Sequence, residues 1–62
     1  MNDYAKVQKS GAWVTMSREP LRGLYEVKVY SAGGNLLDKV RCDDYHMALD
    51  YRRSFNKIAK AN

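Results

Sequence analysis

Hydrophobic and polar positions alternate in three stretches of the chain, which is the period of a β-strand with one buried face. The clearest stretch is 24–30, where Tyr25, Val27 and Val29 fall on one side. Residues 12–18, with Val14 and Met16 on one side, and residues 36–42 have the same period. The pattern predicts three consecutive strands, and their short connections favour antiparallel pairing in sequence order.

Turn-forming residues separate these stretches. Pro20 lacks a backbone N–H and Gly23 tolerates positive φ, so residues 17–23 are predicted to form a loop. Residues 33–35, Gly-Gly-Asn, are typical of a hairpin connection. Asp38 interrupts the apolar side of the third strand close to that turn. Either a β-bulge there or N–H groups of the turn donating to its carboxylate would accommodate it.

From Asp43 onward the hydrophobic period changes to 3.6 residues, which predicts an amphipathic helix. Asp43 or Asp44 can cap its N-terminus. One side of this helix is apolar and is expected to pack on the sheet: Tyr45, Ala48, Tyr51, Phe55, Ile58 and Ala59. The predicted fold class is therefore α+β, in the order β-β-β-α, with a three-stranded antiparallel sheet and one C-terminal α-helix packed on one face.

The chain of 62 residues is long enough for one domain with one small core. Residues 1–10 contain little apolar material and are interpreted as an N-terminal arm or an extension of the first strand. Residues 11–62 are interpreted as a single α+β domain. A deep catalytic cleft is not expected at this size.

Composition places the protein in a reducing compartment. Its single cysteine excludes an internal disulfide framework, which a small secreted domain would normally need. Its apolar runs are too short to span a membrane, and the N-terminus lacks a basic segment followed by an apolar one. We therefore expect a cytoplasmic protein with no membrane partner.

Catalytic and metal-binding chemistry finds little support. Cys42 and His46 are four residues apart and Asp43 lies between them, but one cysteine and one histidine supply at most half of a tetrahedral zinc site. No third group orients this pair for nucleophilic catalysis, and Gly33-Gly34 lacks the continuation of a phosphate loop. We expect no metal, no cofactor and no enzymatic activity.

Charge points to an anionic partner. Eleven Lys and Arg residues exceed seven Asp and Glu residues, which gives a net charge of +4. If the helix covers one face of the sheet, the other face presents cations and aromatic rings: Trp13, Lys28, Tyr30, Lys39 and Arg41. Basic side chains contact phosphates and aromatic rings stack on bases. The competing interpretation is a solvated face on which Trp13 and Tyr30 form a cross-strand pair, and Glu26 would repel phosphate locally.

A secondary basic patch lies on the second half of the helix, at Arg52, Arg53, Lys57 and Lys60. Cations near a helix C-terminus favour the helix dipole, which explains most of this patch without a ligand. Arg52 differs because it lies beside the apolar stripe. Its stem can pack there while its guanidinium reaches an acid such as Asp44 or a partner.

The order of strands, glycine turn, short polar cap at 42–44 and helix carrying Ala48 resembles the small DNA-binding domains of phage-type integrases and plant AP2 domains. In that family the sheet enters the major groove of DNA. The resemblance implies this role for Trp13, Lys28, Tyr30, Lys39 and Arg41. The arginine-rich first strand of the family is replaced here by residues 12–16, Ala-Trp-Val-Thr-Met.

We therefore expect a small non-enzymatic protein that binds DNA or RNA through the open sheet face, of the kind that phages and mobile elements use as accessory proteins. The alternative is a protein-interaction module or inhibitor. It would dock on a host protein through Trp13, Tyr30 and Leu37, or through an edge strand added to the partner's sheet. Homodimerisation through the same face is a variant of this alternative.

Overall fold

Four strands and one helix make up the fold, and the computed structural model describes residues 3–62. In chain order the elements are β1 (Tyr4–Val7), β2 (Trp13–Glu19), β3 (Leu24–Tyr30), β4 (Leu36–Cys42) and α1 (Tyr45–Ala61). The strands form one antiparallel sheet in the order β1-β2-β3-β4. The predicted α+β class, with an antiparallel sheet and one C-terminal helix, is confirmed.

The predicted number of strands is wrong, because the sheet has four strands and not three. The additional strand, β1, belongs to the predicted arm at 1–10, of which Met1 and Asn2 lie outside the described residues. It pairs antiparallel with β2, from Tyr4 opposite Met16 to Val7 opposite Trp13. Only Tyr4 of its four residues is partly buried, so the strand is held by hydrogen bonds to β2 and leaves little hydrophobic pattern.

The connection between β2 and β3 is shorter than predicted. Pairing continues through Arg18 opposite Tyr25 to Glu19 opposite Leu24. Gly23 N–H then donates to Glu19 C=O at 2.8 Å and closes a tight turn at Pro20.

One face of the sheet and one side of α1 form the core. The buried side chains are all apolar and belong to β2, β3, α1 and the residue before β2: Ala12, Val14, Met16, Val27, Val29, Ala48, Phe55 and Ala59. Tyr45 and Tyr51 were predicted to belong to the apolar stripe, but 48% and 38% of their surfaces are exposed. The helix stripe is therefore narrower than predicted.

Both ends of α1 are capped by side chains. The Asp44 carboxylate accepts a hydrogen bond from His46 N–H at 2.9 Å, so Asp44 is the N-cap and Asp43 is not. At the other end the Asn62 side-chain amide donates to Ile58 C=O at 2.8 Å. Ser10, in the turn after β1, donates to Ala59 C=O at 2.8 Å. The last turn of the helix is thus tied to the first hairpin.

Two turns approach each other at one end of the sheet. Gly11 has a φ of +94°, and a Cβ at this position would lie 2.9 Å from Ala32 Cβ. Gly11 N–H donates to Gln8 C=O at 2.9 Å within the β1–β2 turn. This position therefore needs glycine both for its conformation and for space.

A β-bulge accommodates Asp38. The β3–β4 register shifts between Val29, opposite Asp38, and Tyr30, opposite Leu36. The exposed Asp38 carboxylate accepts a hydrogen bond from Lys39 N–H at 2.7 Å. The predicted bulge is thus present, whereas the N–H group that donates to Asp38 belongs to β4 and not to the turn.

Candidate nucleic-acid interface

The face of the sheet opposite α1, the outer face, gathers the predicted binding residues. Trp13 lies opposite Tyr30 in the β2–β3 pair. Lys28 lies opposite Lys39, and the next pair along these strands on the same face is Glu26 and Arg41. Directly opposed residues of antiparallel strands point to the same side of the sheet. The structure therefore places Trp13, Lys28, Tyr30, Lys39 and Arg41 on one surface.

At one end of the outer face, four apolar or aromatic side chains form a row across all four strands, which we call the aromatic row: Val7, Trp13, Tyr30 and Leu36. The Trp13 and Tyr30 rings are stacked, with centroids 5.0 Å apart and planes 18° apart. This separation matches an offset stack of aromatic rings. Both residues remain partly exposed. The row gives the sheet an uncovered aromatic surface.

Beside the aromatic row lies a charged zone built around Glu26. Its carboxylate accepts a hydrogen bond from Arg41 Nε at 3.0 Å and lies 3.2 Å from Lys28 Nζ. The Arg41 hydrogen bond, aided by Lys28, lowers the pKa of Glu26 below its usual value, although burial opposes the shift. The same contact raises the pKa of Arg41. The acid is thus shared by two cations and stays ionised.

Among the described residues, Lys39 has no ion-pair partner. Three cations and one carboxylate occupy the central rows, so this part of the outer face has an excess of positive charge. Cations held by a carboxylate are oriented before a ligand arrives. Lys39 is the cation most available to a phosphate.

Leu37, which the docking alternative uses, lies at the β-bulge between Leu36 and Asp38. Its exposed fraction is 41%, and that of Leu36 is 49%. Val7 is 68% exposed. Val7 and Leu36, on the edge strands β1 and β4, extend the apolar surface around Trp13 and Tyr30, whereas Leu37 has no partner opposite it in β3.

The four residues of the predicted secondary basic patch on α1 do not form one surface. Arg53 is exposed and forms an ion pair with Asp50 at 3.3 Å, and Lys57 and Lys60 are exposed on the same side. Arg52 turns to β1, where its guanidinium carbon lies 4.1 Å from the Tyr4 ring centroid. Of the two alternatives predicted for the Arg52 guanidinium, an acid such as Asp44 or a partner, the first is not seen among the described residues, where the guanidinium lies over the Tyr4 ring.

Cys42 has a structural environment. Its Sγ–H donates a weak hydrogen bond to Asp44 C=O at 3.7 Å, and burial raises the pKa of the thiol. Across residues 3–62, no group of three or more His, Cys, Asp or Glu side chains is arranged to hold a metal ion.

Sequence reasoning missed Val7 and Leu36 as members of the aromatic row. Val7 lay in a segment assigned no element of its own. Leu36 shares the alternating side of 36–42 with Asp38, so the pattern assigns it to the inward, apolar side, and the bulge after it reverses that alternation. The apolar character of both residues was the available signal, but register decides their face.

Comparison with protein-family models, curated proteins and solved structures found no match. The only helix in the part of the chain that the structure describes, α1, lacks the length and apolar character needed to cross a membrane.

Proposed function

We propose that this protein is a non-enzymatic nucleic-acid-binding protein, and that the outer face of the sheet is its binding surface. The observation that carries the proposal is the stacked Trp13–Tyr30 pair, partly exposed beside Lys28, Lys39 and Arg41. In this arrangement the cations contact phosphates and the aromatic pair contacts bases.

Single strands fit this surface better than duplexes. The faces of bases are accessible in single strands, whereas in a duplex they are stacked on one another. A stacked aromatic pair that is still partly exposed offers a further stacking partner to an unpaired base, and it does so for any base. Reading the major groove, the mode implied by the resemblance to integrase and AP2 domains, would instead rely on Lys39 and Arg41 reaching base edges.

Glu26 has two opposite effects on this function. It repels phosphate by itself, but its charge is offset by the Lys28 and Arg41 side chains that it holds. The carboxylate then restrains two flexible cations, which reduces the entropy lost when they contact a ligand. The Glu26 carboxylate also weakens the net attraction of the outer face for phosphate. It forms no ion pair with Lys39.

The measurement uses Trp13, the only tryptophan of the chain, as a fluorescent reporter. Single-stranded DNA, single-stranded RNA and duplex DNA are titrated at low and moderate salt. We expect quenching by single strands and a log–log salt slope of about −2, from about three phosphate contacts at about −0.7 each. An absence of binding by all three nucleic acids at low salt would end the proposal.

Two double variants locate the surface. Lys39→Ala with Arg41→Ala should weaken binding about tenfold or more, because two phosphate contacts are lost. Arg53→Ala with Lys57→Ala removes the same charge from the far side of α1 and should leave affinity within about twofold, a difference of about 0.4 kcal/mol. The reverse result would move the site to the helix.

A second candidate function, docking on a protein, is favoured by the exposed Val7 and Leu36 beside the aromatic pair and by the exposed Leu37 next to Leu36. An apolar interface of this kind depends weakly on salt, whereas a phosphate-binding one depends steeply. Sedimentation of the free protein over a range of concentrations tests the homodimer variant. A monomer at all concentrations would exclude a stable homodimer.

A further inference from the structure

On the helix side of the sheet, at the end away from Gly11, lies a cleft with a volume of 340 Å³. We call it the tyrosine cleft, after its main walls: Tyr4, Tyr25 and Tyr45, with Arg18 and Arg52. Its size is at the lower end of the range for sites that hold small molecules. It shares no side chain with the five residues proposed to bind nucleic acid on the outer face.

The cations of the cleft lie against aromatic rings. The Arg52 guanidinium carbon is 4.1 Å from the Tyr4 ring centroid, and that of Arg18 is 6.0 Å from the Tyr25 ring centroid. Within residues 3–62 neither arginine belongs to an ion pair. A cation–π contact holds a guanidinium in place but leaves its N–H groups free to bind an anion.

A hydrogen-bond chain fixes the Tyr4 wall. The Asn56 side-chain amide donates to Tyr4 Oη at 3.1 Å, and Gln8 Nε2 donates to Asn56 Oδ1 at 3.1 Å. Arg52 also makes a weak contact of 3.9 Å with Met16 Sδ. Tyr4 and Arg52 are thus positioned by the fold before any ligand binds, which reduces the ordering cost of binding.

The other walls suit a planar ring. The Tyr25 and Tyr45 rings are 5.4 Å apart and inclined at 56°. Tyr45 is half exposed although it is aromatic, so its ring has surface available for a ligand. Aromatic walls together with two guanidinium groups match a flat ring that carries a phosphate.

Asp3 also lines the cleft. Two arginines and one aspartate leave an excess of one positive charge, which attracts a phosphate group. The volume of 340 Å³ has room for a ring, a sugar and one phosphate, and less for a triphosphate chain.

We propose that the tyrosine cleft binds a nucleoside monophosphate, with the ring against Tyr25 and Tyr45 and the phosphate on Arg18 and Arg52. The nucleoside monophosphate can be a free nucleotide or the 5′-phosphorylated end of a strand, because both present a base, a sugar and one phosphate. The proposal is independent of the outer face.

The test is a titration of isotope-labelled protein, followed by amide chemical shifts, with AMP, adenosine, inorganic phosphate and ATP as separate probes. We expect AMP to bind at least about tenfold more tightly than adenosine or phosphate, and more tightly than ATP, with shifts at Arg18, Tyr25 and Tyr45. Equal binding of AMP and phosphate, or shifts confined to Trp13 and Tyr30, would overturn the proposal.

Arg18→Gln is the informative variant, because Arg18 is exposed and outside the core. It should weaken AMP binding about fivefold or more, whereas the control Arg53→Gln, on the far side of α1, should not. Equal affinities of the two variants would contradict the assignment. Lys39→Ala with Arg41→Ala should leave AMP binding unchanged, which separates failure here from failure of the outer face.

A trinucleotide with and without a 5′-phosphate identifies the source. Tighter binding of the phosphorylated trinucleotide than of AMP assigns the site to strand ends. Weaker binding assigns it to free nucleotides. Identical affinity of the trinucleotide with and without its phosphate, at the cleft residues, would contradict a phosphate site.

Discussion

On the outer face of the sheet Arg41 and Lys28 share the Glu26 carboxylate, whereas in the tyrosine cleft Arg18 and Arg52 rest against tyrosine rings. The first arrangement spreads charge over a flat surface with one acid in its middle. The second concentrates charge in a concave site and leaves the arginines without an acid partner among the described residues. The same kind of side chain is thus prepared for an extended polyanion on one side and for a small anion on the other.

The largest expected effect comes from Phe55→Ala, which affects both faces at once. Phe55 is 4% exposed and packs in the core beneath the sheet. Its removal should lower the free energy of unfolding by about 3–5 kcal/mol, measured by urea denaturation. Met47→Ala, an exposed position of the same helix, is the control and should stay within about 0.5 kcal/mol. A small loss at Phe55 would mean that the sheet is stable without the helix.

Gly11→Ala should come next and act at the end of the sheet that holds the aromatic row. Positive φ and the 2.9 Å approach to Ala32 Cβ should together cost about 1–3 kcal/mol of stability. Gly34→Ala is a matched control, with a φ of +90° and no atom within 4 Å of the added Cβ. We expect the smaller loss there, by the same denaturation. Equal losses would show that conformation alone, and not the contact between the turns, requires glycine.

Trp13→Ala separates the two faces by binding. Loss of a stacked base should reduce affinity for single-stranded DNA by about 1–3 kcal/mol, measured by anisotropy of a labelled strand. AMP binding at the tyrosine cleft should be unaffected. Tyr51→Ala, an exposed aromatic of α1, controls for the loss of an aromatic ring. A variant that binds DNA as the parent does would remove the aromatic row from the interface.

Glu26→Gln should have the smallest effect on affinity for single strands. Whether the affinity rises or falls is the informative result. Removing the carboxylate removes its repulsion of phosphate and should raise affinity for single strands a few-fold, whereas the salt slope should stay at about −2 because the same three cations contact phosphates. Anisotropy over a series of salt concentrations measures both. A loss of affinity would mean that positioning by Glu26 matters more than its charge.

The same residue predicts a pH dependence of stability. The pKa of Glu26 is lowered by folding, so its contribution is present above the unfolded pKa and lost as the pH falls through the folded value. Denaturation at pH 7 and at pH 3 should therefore show that the free energy of unfolding falls less on acidification in Glu26→Gln than in the parent. An equal fall in both proteins would show that other carboxylates account for the pH dependence.

Much of the fold followed from local patterns. The alternation at 24–30 and the change of period after Asp43 predicted β3 and α1, because a residue's face depends there on its own spacing. The strand β1 was missed, because a four-residue edge strand is held by backbone hydrogen bonds that leave no mark in side-chain pattern.

The outer face was predictable for the same reason as the strands, since alternation alone assigns Trp13, Lys28 and Tyr30 to one side. The tyrosine cleft was not predictable. Tyr4 and Arg52 meet across nearly the whole chain, and no spacing in the sequence indicates such a contact. Arg18 lay where the predicted strand 12–18 overlaps the predicted loop 17–23, and its place in β2 depends on pairing with Tyr25.

The links between the first hairpin and the end of the helix constrain how the chain is made. Ser10 bonds to Ala59 and Gln8 to Asn56, contacts that span 49 and 48 residues. During synthesis β1 can pair with β2 early, but these anchors exist only after the last helical turn has left the ribosome. Contacts between residues so far apart slow folding, because a long loop must close first. The newly made sheet would therefore expose Val14, Val27 and Val29 until α1 has formed and packed on it.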